Sequence, residues 1–162
     1  MRTLAIATAV LLASSTATLA APASVSVTIS PELQSKAVKT LGVREVDDLA
    51  ARLQATVEKR LTRTGAYEGA RIELVLADAQ PNHPTFKQLG DKPGLSYESF
   101  GIGGAEIKGR AIAANGAITP IGYKYYESDL RWARHGGTWA DAEGTFDRFA
   151  YDLGRAKVVA SR

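Results

Sequence analysis

The chain has 162 residues, no cysteine, 45% apolar and 23% charged residues, and a formal net charge of +3. Without cysteine there are no disulfides, haem thioethers, Cys-ligated zinc or lipoprotein anchor. The basic residues are scattered among acidic ones and form no Lys/Arg block, which argues against nucleic-acid binding.

MRTLAIATAVLLASSTATLAAPAS begins the chain with Arg2, an apolar stretch from Leu4 to Leu12, then small residues up to Ala20 and Ala23. That order predicts a secretory signal peptide over residues 1–20, cut after Ala20 or as late as Ala23, with Ala20 favoured. The apolar run falls short of the roughly 20 residues a bilayer span needs, so no integral membrane segment is expected. Residues 21–162 then form a single domain, and the expected location is periplasmic or secreted.

ASVSVTIS alternates Val25, Val27 and Ile29 with Ser24, Ser26 and Thr28, a strand with one buried face. Ser30 before Pro31 starts a short helix into Lys39, which Gly42 ends. Between Arg44 and Thr64 the apolar residues Val46, Leu49, Leu53, Val57 and Leu61 recur at steps of three and four, an amphipathic helix with Gly65 at its stop. RIELVLAD is the second strand, with Ile72, Leu74 and Leu76 on one face. The stretch from Ala79 to Gly104 carries Pro81, Pro84, Pro93 and repeated Gly without a period. It is a long, functionally suggestive loop, within which LSYESFGI can form an edge strand.

Asn115-Gly116 between two extended runs predicts a hairpin with a two-residue turn, in which Ala113 faces Ile118 and Gly109 faces Gly122. That register puts Ala105, Ile107, Gly109 and Ala111 on the core face. It puts Lys108, Arg110, Tyr123 and Tyr125 together on the outer one. A tyrosine and arginine surface of this kind suits partner or saccharide binding. The alternative, an ordinary solvated face or one covered by the long loop, weighs equally.

ESDLRWARHGGTWADAEGTFDRFA, residues 127 to 150, holds the densest chemistry. Thr138 and Asp141 are spaced like a capping box, and Trp139, Ala142, Phe146, Phe149 and Leu153 make a helical core stripe. Glu127, Asp129 and His135 fall outside that stripe and form the candidate acid/base set for catalysis, with Trp132 as a further binding candidate. The favoured structural alternative pairs Asp129 with Arg131 or Arg134 and leaves His135 in a turn. His83 with Asp78 and Asp91 matches no metal-ligand spacing, and GIGG at 101–104 lacks the following helix that a phosphate loop needs. No cofactor or metal is expected.

Through LSYESFGIGGAEIKG, IGYKYYESDLRWA and TWADAEGTFDRFA the chain resembles a family of small exported proteobacterial domains of unknown function. In element order it is similar to the small α/β domains of envelope-assembly lipoproteins, from which the missing lipobox cysteine departs. The resemblance implies no activity.

The expected fold is α+β, a two-layer α/β sandwich whose mostly antiparallel sheet carries two main helices on one face. The expected function is that of a non-enzymatic periplasmic binding or accessory protein of the cell envelope, with an envelope protein or a saccharide as partner. The alternatives are a cofactor-free hydrolase using Glu127, Asp129 and His135, and a self-associating assembly subunit.

Overall fold

The computed structural model describes residues 21–133 and 136–155. The expected leader over 1–20 and the candidate His135 lie outside the described residues. Strand β1 (Ser24–Ile29) leads into helix α1 (Pro31–Lys36), which runs on as a π-helical turn (Ala37–Leu41) before helix α2 (Val43–Thr64) and strand β2 (Arg71–Gln80). After the short helix α3 (Phe86–Asp91) come strands β3 (Gly104–Ile112) and β4 (Ile118–Tyr126), one turn of helix α4 (Leu130–Ala133) and helix α5 (Ala140–Leu153). The sheet order is β1-β2-β3-β4, with β1 parallel to β2 and the other pairs antiparallel. This is the expected α+β class.

Local chemistry sets the element ends. The Ser30 hydroxyl accepts from Leu33 N–H at 3.1 Å, and Pro31 fills the first helical position, where its missing donor costs nothing. Gly65 closes α2 in the left-handed region at φ 67°, its N–H donating to Leu61 C=O. The apolar stripe of α2 (Val46, Leu49, Leu53, Val57, Leu61) and that of α5 (Ala142, Phe146, Phe149, Leu153) are buried against Ile72, Leu74, Leu76, Ala105 and Ile107. Among the described residues no helix is long and apolar enough to cross a membrane.

The hairpin differs from expectation by one residue. Ile112 faces Ile118, Gly109 faces Ile121 and Ile107 faces Tyr123. The loop has three residues rather than two: Ala113 N–H donates to Ala117 C=O, Gly116 N–H donates to Ala113 C=O, and Gly116 takes φ 83°. The Asn115 side-chain oxygen accepts from Ala117 N–H at 3.0 Å, satisfying a donor that the shorter turn would aim across the hairpin. A one-residue slip turns every side chain of a strand over. Ile121 is therefore buried, and Tyr123 packs on Phe149 with ring centroids 5.7 Å apart. Burying these side chains rather than Pro120 and Gly122 is the packing gain that selects this register.

Two smaller expectations also fail. Residues 95–102 form turns instead of an edge strand, because Ser96 and Ser99 satisfy that backbone locally: Ser99 N–H donates to Ser96 C=O, and Ser96 N–H donates to the Ser99 hydroxyl. Thr138 does not cap α5. Trp139 stands at the N-cap without a side-chain cap bond, and Asp141 is engaged elsewhere.

The register is directly testable, since the chain has no cysteine to interfere. In Ile112→Cys/Ile118→Cys the two positions are opposed and should oxidise to an intramolecular disulfide on mild air exposure. Ile112→Cys/Thr119→Cys, the pair opposed in the two-residue-turn register, should stay reduced by thiol titration. The reverse result would restore the shorter turn.

Candidate functional site

The slipped register separates the proposed binding residues. Lys108 and Arg110 point to the uncovered face of the sheet, whereas Tyr123 and Tyr125 lie on the helix side with Ile107 and Ala105. Tyr125 sits under the Arg148 guanidinium, 4.1 Å from its carbon to the ring centroid, and its hydroxyl donates to Glu127 at 3.2 Å. Trp132 falls on α4. The shared Lys108/Arg110/Tyr123/Tyr125 surface therefore does not exist.

The uncovered face is instead a ladder of ion pairs. Glu106 receives Lys108 at 2.8 Å and Lys124 at 3.3 Å, and Glu73 receives Arg110 at 2.7 Å. At one end Asp78 accepts from Lys36 at 2.6 Å and from the Tyr126 hydroxyl at 2.7 Å. Partial burial alone would raise the Asp78 carboxyl, but the bonds from Lys36 and Tyr126 and the Lys36 charge outweigh it and hold the group below its usual range. Burial followed by the Asp78 bond pushes the Tyr126 hydroxyl well up.

Neither candidate carboxylate is poised for catalysis. The N–H groups of Ser128 and Asp129 donate to Glu127 at 2.8 and 3.2 Å and lower its carboxyl. Asp129 is clasped by the Arg131 guanidinium, with Nε at 2.9 and 3.0 Å from its two oxygens, and is lowered by it. Both acids thus stay ionised and spend their lone pairs on their own turn, as the structural alternative for Asp129 expects. Among the described residues no group of three His, Cys, Asp or Glu is placed to hold a metal. Asp91 pairs with Lys87, and Asp78 is engaged as above.

The structure draws attention to the segment between β2 and β3, and there to Asn82. Asn82 is 2% exposed and every polar group it owns is used. Its side-chain amide donates to Asp141 at 2.5 Å, and its side-chain oxygen accepts from Asp141 N–H at 2.8 Å. Its backbone N–H donates to Thr138 C=O at 2.7 Å, and its C=O accepts from Gly101 N–H at 2.7 Å. The same Asp141 carboxylate accepts from Gly103 N–H at 2.9 Å. A side chain at Gly103 would collide with Gln80 C=O and the Asn82 amide, so the tie needs glycine there.

Outside this anchor, Thr85 and Gln88 form a reciprocal capping box on α3, and Glu45 of α2 accepts from Phe86 N–H at 3.0 Å and from the Trp139 indole at 2.9 Å. TFKQ carries the capping-box spacing and was a readable signal for α3. No local signal marks Asn82, whose partner lies 59 residues away.

Within this frame a cavity of about 230 Å³ opens between His83, Phe86, Tyr97 and the Gly136-Gly137-Thr138 turn. Phe86 and Tyr97 are 76% and 72% exposed. His83 Nδ1 is 3.0 Å from Ser99 C=O, which makes Nδ1 the donor. The His83 Nε2 is buried and has no hydrogen-bond partner among the described residues. The sequence pointed to the loop but not to the cavity that His83 helps to line. Neither a family model nor a curated protein matches this sequence.

Asn82→Ala should cost about 3 kcal/mol, since it strands the Asp141 N–H and removes the charge-assisted bond to the Asp141 carboxylate. Urea unfolding measures the loss, and hydrogen exchange should report early opening of residues 81–103. Asp78 generates a pH dependence. A carboxyl lowered by folding contributes stability above its unfolded pKa that is lost as pH falls through the folded one. Asp78→Asn should therefore be less stable than the native chain at about pH 7, with the gap closing as pH falls from about 4 toward about 2. A gap unchanged over that range would refute the assigned coupling.

Proposed function

We propose that this is a non-enzymatic binding or accessory protein of the bacterial cell envelope, exported by the leader expected over residues 1–20, whose recognition surface is the segment between β2 and β3. One observation carries the reading: a segment fixed at its base by buried hydrogen bonds presents Phe86 and Tyr97 to solvent at the mouth of a cavity. Exposing large aromatic area costs stability in water, while holding it rigid lowers the entropy lost on binding, a combination that suits recognition.

The cavity is small, the size of one sugar ring or one side chain, and is lined by His83 and the two exposed aromatic rings. That favours an occupant with an apolar face, such as a saccharide unit or a peptide side chain of an envelope partner. Cutting after Ala20 is supported by the pairing of the following residues. Ala21 C=O accepts from Gly69 N–H, and Ala23 N–H donates to Ala70 C=O, so both bonds survive in a chain that starts at Ala21. The hydrolase alternative loses support because Glu127 and Asp129 are committed to their own turn.

NMR titration of the exported domain with amino-sugar oligosaccharides and with short unstructured peptides tests the reading. Shifts should concentrate at residues 83–100 and 136–138, and Phe86→Ala/Tyr97→Ala should weaken binding by about tenfold while leaving thermal unfolding nearly unchanged. Shifts confined to Lys108, Arg110 and Lys124 and indifferent to the double variant would move the site to the sheet. Turnover of an oligosaccharide that is lost in Glu127→Gln would restore the hydrolase.

A further inference from the structure

The helix layer carries a second feature, remote from that segment and independent of it. Helices α2 and α5 run parallel, since Arg52 pairs with Glu143 at 2.8 Å and, two turns on, Arg60 reaches Tyr151. Toward their C-terminal ends a cleft of about 390 Å³ opens between Thr56, Lys59, Arg60 and Arg63 of α2 and Asp147 and Tyr151 of α5. The steps of three and four put each set on one helix face.

This cleft gathers basic side chains in one place. Several cations elsewhere are neutralised within the fold, as in Lys36–Asp78, Lys87–Asp91, Lys108–Glu106 and Arg110–Glu73. No ion pair among the described residues engages Lys59, Arg60, Arg63 or Arg155. Two guanidinium groups share the Tyr151 ring. The Arg60 carbon lies 4.6 Å and the Arg155 carbon 5.3 Å from its centroid, and Arg155 also donates to the Tyr151 hydroxyl. Arg60 Nε is buried with no hydrogen-bond partner among the described residues.

Packing like charges around one ring is unfavourable unless something of opposite sign joins them. The two helix C-termini supply about one negative charge between them, and Asp147 supplies another. Against four cations this leaves a surplus of about two. Glu58 and Asp152 keep their charges, but neither forms an ion pair with these four cations among the described residues.

We propose that this cleft binds an anionic phosphate group. Arg60 and Arg63 supply the planar donor forks that match phosphate oxygens, and Lys59 supplies a point charge at the rim. Stacking on Tyr151 holds Arg60 in place before the ligand arrives, which lowers the cost of ordering it. The group is either a free phosphate or diphosphate ester or the headgroup of an anionic lipid, and the chemistry of the cleft is the same for both.

Calorimetric titration of the full exported chain with pyrophosphate, beside sedimentation with phosphatidylglycerol and phosphatidylcholine vesicles, tests this. Binding to pyrophosphate, or to phosphatidylglycerol but not phosphatidylcholine vesicles, is expected, weakening as salt rises. Arg60→Gln/Arg63→Gln should reduce it by at least about tenfold, and Phe86→Ala/Tyr97→Ala should leave it unchanged. Lys59→Gln/Arg63→Gln, which spares the partly buried Arg60, should show the same loss in part and keeps the test valid if the first variant does not fold. Pyrophosphate binding identifies a soluble phosphate as the source, and vesicle binding alone identifies a headgroup. Failure of the native chain to bind either probe, or equal binding by native chain and variants, overturns the proposal.

Discussion

The architecture between β2 and α5 depends on one saturated amide. Asn82 is buried where the chain leaves the sheet, and both its backbone and its side chain are bonded to the entrance of α5 and to the residues before β3. A buried amide left unpaired costs on the order of the bonds it forgoes, so the arrangement is stable only when all partners are present together. Because the partners lie on three separate stretches of chain, the bond set fixes their relative positions in one step. It also explains why Asp141, suited by its place to cap its own helix, turns away from that task. Its carboxylate gains a buried amide and the Gly103 N–H instead of one exposed backbone donor.

That constraint gives the irregular segment its character. A stretch of more than twenty residues with only a six-residue helix would ordinarily be a mobile loop. Here both ends are tied at Asn82 and Gly103, and Glu45 of α2 holds the start of α3 through Phe86 N–H. The segment can then carry exposed aromatic rings without collapsing onto the core, and the cost of that exposure is borne by polar bonds underneath. Placing recognition on the segment follows from the same logic, since rigid anchors lose little freedom when they bind.

What was legible in the sequence is what depends on near neighbours. The stripes of α2 and α5, the Ser30 cap and the Gly65 stop all follow from residues a few positions apart, and they hold in the structure. The α+β sandwich follows from these elements in order. The hairpin was half legible. Asn115-Gly116 correctly marks the reversal, but whether the turn takes two or three residues is decided by which of Pro120, Ile121, Gly122 and Tyr123 pack best on α5. A pattern of small residues on β3 suited either answer. The Asn82–Asp141 pairing was not legible, because its two halves are remote in sequence and each has a plausible local role.

The uncovered sheet face is the natural rival for recognition, and its electrostatics weigh against it. Lys108 and Lys124 share Glu106, Arg110 takes Glu73, and Lys36 takes Asp78, so the charges on offer to a partner are already spent. A ligand would have to break those pairs, recovering little, since exposed ion pairs contribute only about 0 to 1 kcal/mol each to begin with and their partners would be left unpaired. At the edge, β4 carries Pro120, which has no N–H to donate, and the charged Lys124, both of which discourage an added strand. A face whose Lys36, Lys108, Arg110 and Lys124 are ion-paired and which is guarded at that edge is built to stay in water. The positions with unspent capacity lie elsewhere: the cavity that His83 helps to line, and the guanidinium groups around Tyr151.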